Sequence, residues 1–242
     1  HHAANPPPAP ADVIPAAVQL VGGGACADWL IPAVRRRGRD LEAKGTGFWP
    51  VVNTGRTHLQ DATPIRLGRE CKGYAGQVEE SIRRAQAAID ELARVPLGGT
   101  AVGTGLNSHP QHARMTCARL AKATRLAIHE TRNHFHAQAT LDVLVAAHGG
   151  LRTIAVSLWK IGSDVRPMGP GPSAGLGELR LPETKHGSSL MPGKVNPMHI
   201  NSRTPAVARV FAQNATLPFC GPPRRLFPTN ALRRRAGPTC PP

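Results

Sequence analysis

The chain has 242 residues, enough for one large domain or two small ones with a sizeable core. Hydrophobic residues make up 40% but aromatics only 4%, so a core must come from Ala, Leu, Val and Ile, which favours close-packed helices over sheets. The net charge of +15 attracts nucleic acid or anionic surfaces non-specifically whatever the fold, while scattered cysteines (26, 71, 117, 220 and 240) argue against a structural zinc and for a reducing compartment.

No apolar run reaches the roughly 18–20 residues that span a bilayer, and no signal-peptide pattern opens the chain. An opening His1 and a closing Pro241-Pro242 read as part of a longer reading frame. Residues 1–17 are Pro/Ala-rich and predict an extended, poorly ordered lead-in. From about 25 to 44 the pattern is helical, with Trp29, Leu30, Ala33 and Val34 set against a solvated basic face of Arg35, Arg36, Arg37 and Arg39. Gly45 and Gly47 stop that helix, and the block Gly55–Pro64 reads as a linker. Residues 69–94 carry the clearest periodicity: Tyr74, Val78, Ile82, Ala85, Ile89 and Leu92 line one face of a long helix, opposite Glu79, Glu80, Arg83 and Arg84.

The glycines of Gly98–Asn107 suggest a phosphate cradle, but no strand precedes them and Ser108 stands where a third glycine belongs, which excludes a dinucleotide site. A short basic helix is expected over 111–125. A single long helix follows over about 135–166, apolar on several faces through Leu141, Val145, Leu151, Ile154, Leu158 and Ile161, and weakened at Gly149-Gly150. Residues 167–186 are Pro/Gly-rich and read as a moving lead into Gly187–Pro197. That loop gathers Ser188, Ser189, Lys194 and Asn196 between two prolines. On residue types alone it is either a solvated turn or a cradle for a carboxylate or phosphate. After Asn201 the chain loses its packing pattern, and from Pro218 alternating prolines and arginine clusters predict a disordered tail of the kind a frameshift in a GC-rich gene produces. The expected division is therefore a lead-in 1–17, a helical domain 18–217 with its signature loop at 175–197, and a tail 218–242.

Three blocks then point to one family. GSSLMPGKVNP at 187–197 is similar to the GSSxMPxKxNP signature of the fumarase/aspartase superfamily. GRTHLQDATP at 55–64 and GGTAVGTGLN at 98–107 resemble blocks of class II fumarate hydratases, in the same order. The resemblance implies an all-α fold, a long-helix bundle like that superfamily's central domain. It also implies reversible hydration of fumarate to malate without metal or organic cofactor. That reaction needs a base for the proton beside a carboxylate, donors for the enolate-like carboxylate, and an acid that helps hydroxide leave.

Carried over by matching position, Ser188 is the base and His58 holds the water and acts as acid. Thr57, Ser189, Lys194, Val195 and Asn196 bind substrate. A serine base implies that the loop's backbone dipoles and Lys194 stabilise its alkoxide. Aspartases carry Gln where His58 stands, which favours the hydratase over aspartate ammonia-lyase. Four departures imply impaired or absent turnover. Ala9-Pro10-Ala11 replaces a carboxylate-binding Ser-Ser-Asn before Asp12. Asn201 replaces the Glu that orients the catalytic His. His134 and His136 replace Lys and Glu of an Asn-Lys-Phe-Glu block, and Gly171–Gly175 lacks the family's Arg. The resemblance further implies a homotetramer with sites shared between subunits, a cytoplasmic or mitochondrial location, and no specific nucleic-acid or membrane partner. A contrasting expectation is a non-catalytic, basic nucleic-acid-binding remnant of the scaffold, carried by the arginines at 35–39, 224–225 and 233–235.

Overall fold

The computed structural model describes residues 10–183, 190–191, 194 and 196–220. The tail from 221 onward lies outside them, as do residues 1–9. Helices dominate, as the composition predicts. In chain order they are α1 (Pro10–Ala25), a π-helical turn (Cys26–Leu30), α2 (Ile31–Gly47), α3 (Leu67–Leu92), α4 (His112–Thr124), α5 (His134–Ala139), α6 (Asp142–Met168), α7 (Met198–Asn201) and α8 (Arg203–Cys220). The strands are short. β1 (Val52–Thr57) and β2 (Gln60–Arg66) form an antiparallel hairpin, while β3 (Arg94–Val95) pairs in parallel with β4 (His129–Glu130).

The described residues divide into two compact units, one drawn from 10–36, 82–151 and 214–220, the other from 37–81 and 152–213. In the first unit Ala88, Leu92 and Ala147 form a buried cluster with Val143 and Leu144 packed on it. Small side chains permit close approach here: a Cβ on Gly23 would lie 3.3 Å from Leu126 Cδ1. Gln19, buried on α1, donates to the Arg94 carbonyl oxygen at 2.9 Å. In the second unit α2 ends against the start of α3 at paired glycines, where a Cβ on Gly68 would meet the Gly45 carbonyl at 2.3 Å. Val78 is fully buried, Tyr74 donates to Asp164 Oδ2 at 3.2 Å, and Trp159 packs edge-on against Phe211.

Several expectations meet corrections. Residues 10–17 are helical rather than extended: Pro10 takes the first helical position, where its missing N–H costs nothing, and Asp12 sits in the first turn. The helix expected from 25 therefore begins at Pro10, and it runs to Gly47. Over an 18-residue window Pro10–Gly47 reaches a mean hydropathy of 1.3, long and apolar enough to cross a membrane by length and composition, contrary to the count of apolar runs. Its Asp12 and Gln19 are nevertheless buried and hydrogen-bonded within the protein. On the stripe expected over 29–34, Val34 is buried but Trp29 is 76% exposed.

The long helix expected over 135–166 is broken at Thr140, which adopts an extended conformation. Asn133 caps α5 by accepting from His136 N at 3.1 Å, and α6 starts afresh at Asp142. Gly149-Gly150 stays helical. Residues 169–179, expected to move, fold back on the end of α6. Gly177 N donates to Pro170 O at 2.7 Å, and Glu178 N and Leu179 N both donate to Met168 O at 2.9 Å. Beyond Asn201 the chain packs again as α8, with Val207 buried and helix continuing to Cys220, past the boundary expected at 217.

Candidate active site

The block read as a linker is the β1–β2 hairpin. Thr57 faces Gln60 across it, leaving His58 and Leu59 as a two-residue turn with φ of 53° and 60°. Two positive φ values characterise the type I′ turn, which matches the twist of paired strands but favours Asn-Gly. His and Leu there are strained, and Leu59 is 91% exposed, with no burial to offset the strain. Gly55 marks a bulge, and a Cβ there would meet the Thr63 carbonyl at 2.7 Å. Thr57 and His58 therefore stand at an exposed tip held by a tightly fitted ribbon.

Just below the turn the ribbon is braced by Arg56. Its guanidinium grips Glu178 with both nitrogens, Nη1 at 3.0 Å from Oε2 and Nη2 in closer contact with Oε1. The fork geometry suits a bidentate carboxylate. Hydrogen bonding from Arg56 holds the Glu178 carboxyl below its ordinary pKa, and the pairing raises that of Arg56. Nearby Glu70 is pushed up, chiefly by burial and then by the Glu178 charge. The brace ties the hairpin to the folded-back loop after α6.

Of the other expected site residues, Lys194 is exposed and Asn196 half-buried, with Lys194 N donating to Met191 O at 3.2 Å. Ser188, Ser189 and Val195 lie outside the described residues. Among the described residues no hydrogen bond or ion pair joins Thr57 or His58 to Lys194, Asn196 or Asn201. Asn201, at the position where the resemblance leads one to expect a Glu, is exposed at the end of α7.

Two residues with structural purpose had no role assigned from sequence. Glu178 is 122 positions from Arg56, and nothing local announces the pair. Asp12 directly follows Ala9-Pro10-Ala11. Its Oδ2 accepts from Gly98 N at 3.1 Å and Thr100 N at 3.0 Å, locking the start of the GGTAVGTGLN block to α1. Thr100, Gly98, Gly103, Gly105 and Asn107 all have positive φ, which explains the glycine density without a phosphate. Asp12 Oδ1, Thr100 Oγ1 and Gln138 Oε1 are buried without protein partners.

The two histidines that replace family Lys and Glu have their own partners. His134 Nε2 lies 3.1 Å from the Leu97 carbonyl oxygen and 3.4 Å from Glu130 Oε1. His136 Nε2 lies 2.9 Å from Asp142 Oδ2, and hydrogen bonding from His136 lowers the Asp142 pKa. This second pair borders a cavity of about 270 Å³ in the first unit, also lined by Glu91 and Arg94. Among the described residues no group of three or more His, Cys, Asp or Glu side chains is placed to hold a metal ion.

Comparison with known proteins narrows the chemistry. A family model described as Lyase matches residues 9–212. The chain is 43% identical over 210 residues to a class II fumarate hydratase of Neisseria meningitidis serogroup A, covering 87% of this chain and 46% of that protein. For a class II fumarate hydratase of Caulobacter vibrioides the figures are 42%, 87% and 45%. Among solved structures, a recombinant class II fumarase from Schistosoma mansoni superposes with a TM-score of 0.85 at 28% identity, over 91% of this chain and 49% of that one. A fumarate lyase:delta crystallin from Brucella melitensis, solved bound to cobalt, gives 0.84 at 34% identity, over 93% and 49%. The chain thus spans about half the length of the relatives it matches. With the match running from the first turn of α1 into α8, and the Arg56–Glu178 brace and the Thr57–His58 turn inside it, the chain belongs to the lyase family.

Proposed function

We propose that this chain carries one half of a class II fumarate hydratase, adding water reversibly across fumarate to give malate when its site is completed. The observation that carries the reading is the hairpin tip. Thr57 and His58 sit in the motif that separates fumarases from aspartases, presented to solvent on a strained turn braced by Arg56 and Glu178. In this reading Ser188 removes the proton from the carbon next to a substrate carboxylate. Ser189, Lys194 and Asn196, with Val195 between them, hold the carboxylate that gains charge. His58 delivers the proton that lets hydroxide leave, with Thr57 as a further donor.

Residues 18–217 are the lyase domain of this proposal, working in a cytoplasmic homotetramer. In this proposal the exposed tip of Thr57 and His58 contributes to a site assembled from several subunits. With Asn201 where the resemblance leads one to expect a carboxylate, the site lacks that negative charge, and the isolated chain is expected to turn over little or no fumarate. The test is a chimera. Residues 53–66 and 175–197 replace the matching segments of the Neisseria meningitidis relative, and fumarate hydration is followed. The chimera should stay active, and His58→Gln within it should lower kcat by at least about a hundredfold, the scale of a general acid. A chimera indifferent to His58→Gln would refute the assignment.

A further inference from the structure

The second unit contains a cleft of about 230 Å³ away from the hairpin. Its floor is apolar, formed by Val78 of α3, Ile161 and Val165 of α6, and Ile200 of α7. Its rim is cationic: Arg37 and Lys44 come from α2 and Arg203 from the first turn of α8, against one carboxylate, Asp40. Arg203 is half-buried, and among the described residues neither it nor Arg37 has an ion-pair partner. Burial first, and then the Arg37 charge, push the Arg203 guanidinium's pKa down. A guanidinium stays charged in proteins, so an anion beside Arg203 would offset this cost where proton loss does not.

The apolar floor limits which anion. A second charge at the buried end of the ligand, away from the cationic rim, would rest on Val78 and Ile161 without a partner, at considerable cost. At about 30 Å³ for each small group, the volume holds roughly eight non-hydrogen atoms. We propose that this cleft binds a monocarboxylate with a short apolar tail, its carboxylate between Arg203 and Arg37 and its tail on Val78, Ile161, Val165 and Ile200. Such a ligand differs from the dicarboxylate of the proposed hydratase site in charge and polarity.

Titration of the purified chain with hexanoate tests this, followed by calorimetry and by the methyl resonances of Ile161 and Ile200. Hexanoate should bind saturably with Kd on the order of 1 mM, the range open to a ligand of this size. Acetate, succinate, hexan-1-ol and hexylammonium should each bind at least about tenfold more weakly, and Arg203→Met should weaken hexanoate by a similar factor. Arg35→Met, on the exposed face of α2, should leave binding unchanged and so controls for non-specific attraction to a basic chain. If Arg203→Met fails to fold, Arg37→Met at an exposed position gives the same reading. Absence of saturable hexanoate binding, equal binding of hexylammonium, or wild-type affinity in the Arg37 and Arg203 variants would overturn the proposal.

Discussion

At the turn of the β1–β2 hairpin, His58 and Leu59 both occupy the left-handed region, which costs an L-residue roughly 1–2 kcal/mol. His tolerates it better than most, whereas exposed Leu59 has no compensating contact. Leu59→Gly is expected to stabilise the chain by about 1 kcal/mol without moving Thr57, measured by denaturant unfolding. The brace below the turn gives a second test. Glu178→Gln removes the charge-assisted pair with Arg56 and should lower Tm by about 2–4 °C, the equivalent of ~1 kcal/mol in a chain this size. Because the folded-state pKa of Glu178 is depressed, its contribution is complete above the ordinary carboxylate pKa and is lost as pH falls through the lower folded value. The Tm difference between wild type and Glu178→Gln should therefore shrink on acidification below about pH 4. Thr57 and His58 were legible as a motif. Glu178 was not, because a partner 122 residues away leaves no local trace.

Among the elements, α3 was read correctly from its stripe alone. Tyr74, Val78, Ala85, Ile89 and Leu92 are buried, Ile82 is half-buried, and Glu79 and Glu80 face solvent. Val78→Ala should cost about 2 kcal/mol by leaving a void, while Glu79→Ala one position on should stay within about 0.5 kcal/mol; paired urea melts check both. Asp12→Ala should cost about 2 kcal/mol, since it orphans the amides of Gly98 and Thr100, and proteolysis should then begin in the 98–107 block. The elements that escaped sequence reading did so for identifiable reasons. The hairpin turn is His-Leu, not Asn-Gly, and its strands contain Gly55 and Pro64, so no strand signal rises above that of a linker. The start of α1 hid in Pro/Ala composition, although Pro10 followed by Asp12 is a legitimate helix opening. The break before α6 was masked by apolar residues on both sides of Thr140.

For the molecule as a whole, the helical character followed from an Ala-rich, aromatic-poor composition, and the family from three motif blocks. What composition could not convey is the division into two units, since α2, α3, α6 and α8 each contribute residues to both. Large apolar side chains remain on the surface, among them Trp29 at 76%, Phe135 at 60% and Phe219 at 75% exposed. The chain also covers only 46% of its Neisseria meningitidis relative. The most direct measurement is steady-state fumarate hydration by the purified chain beside its Ser188→Ala variant. The account predicts that both hydrate fumarate at the same background rate. Turnover comparable to that of the full-length relative, abolished by Ser188→Ala, would contradict it.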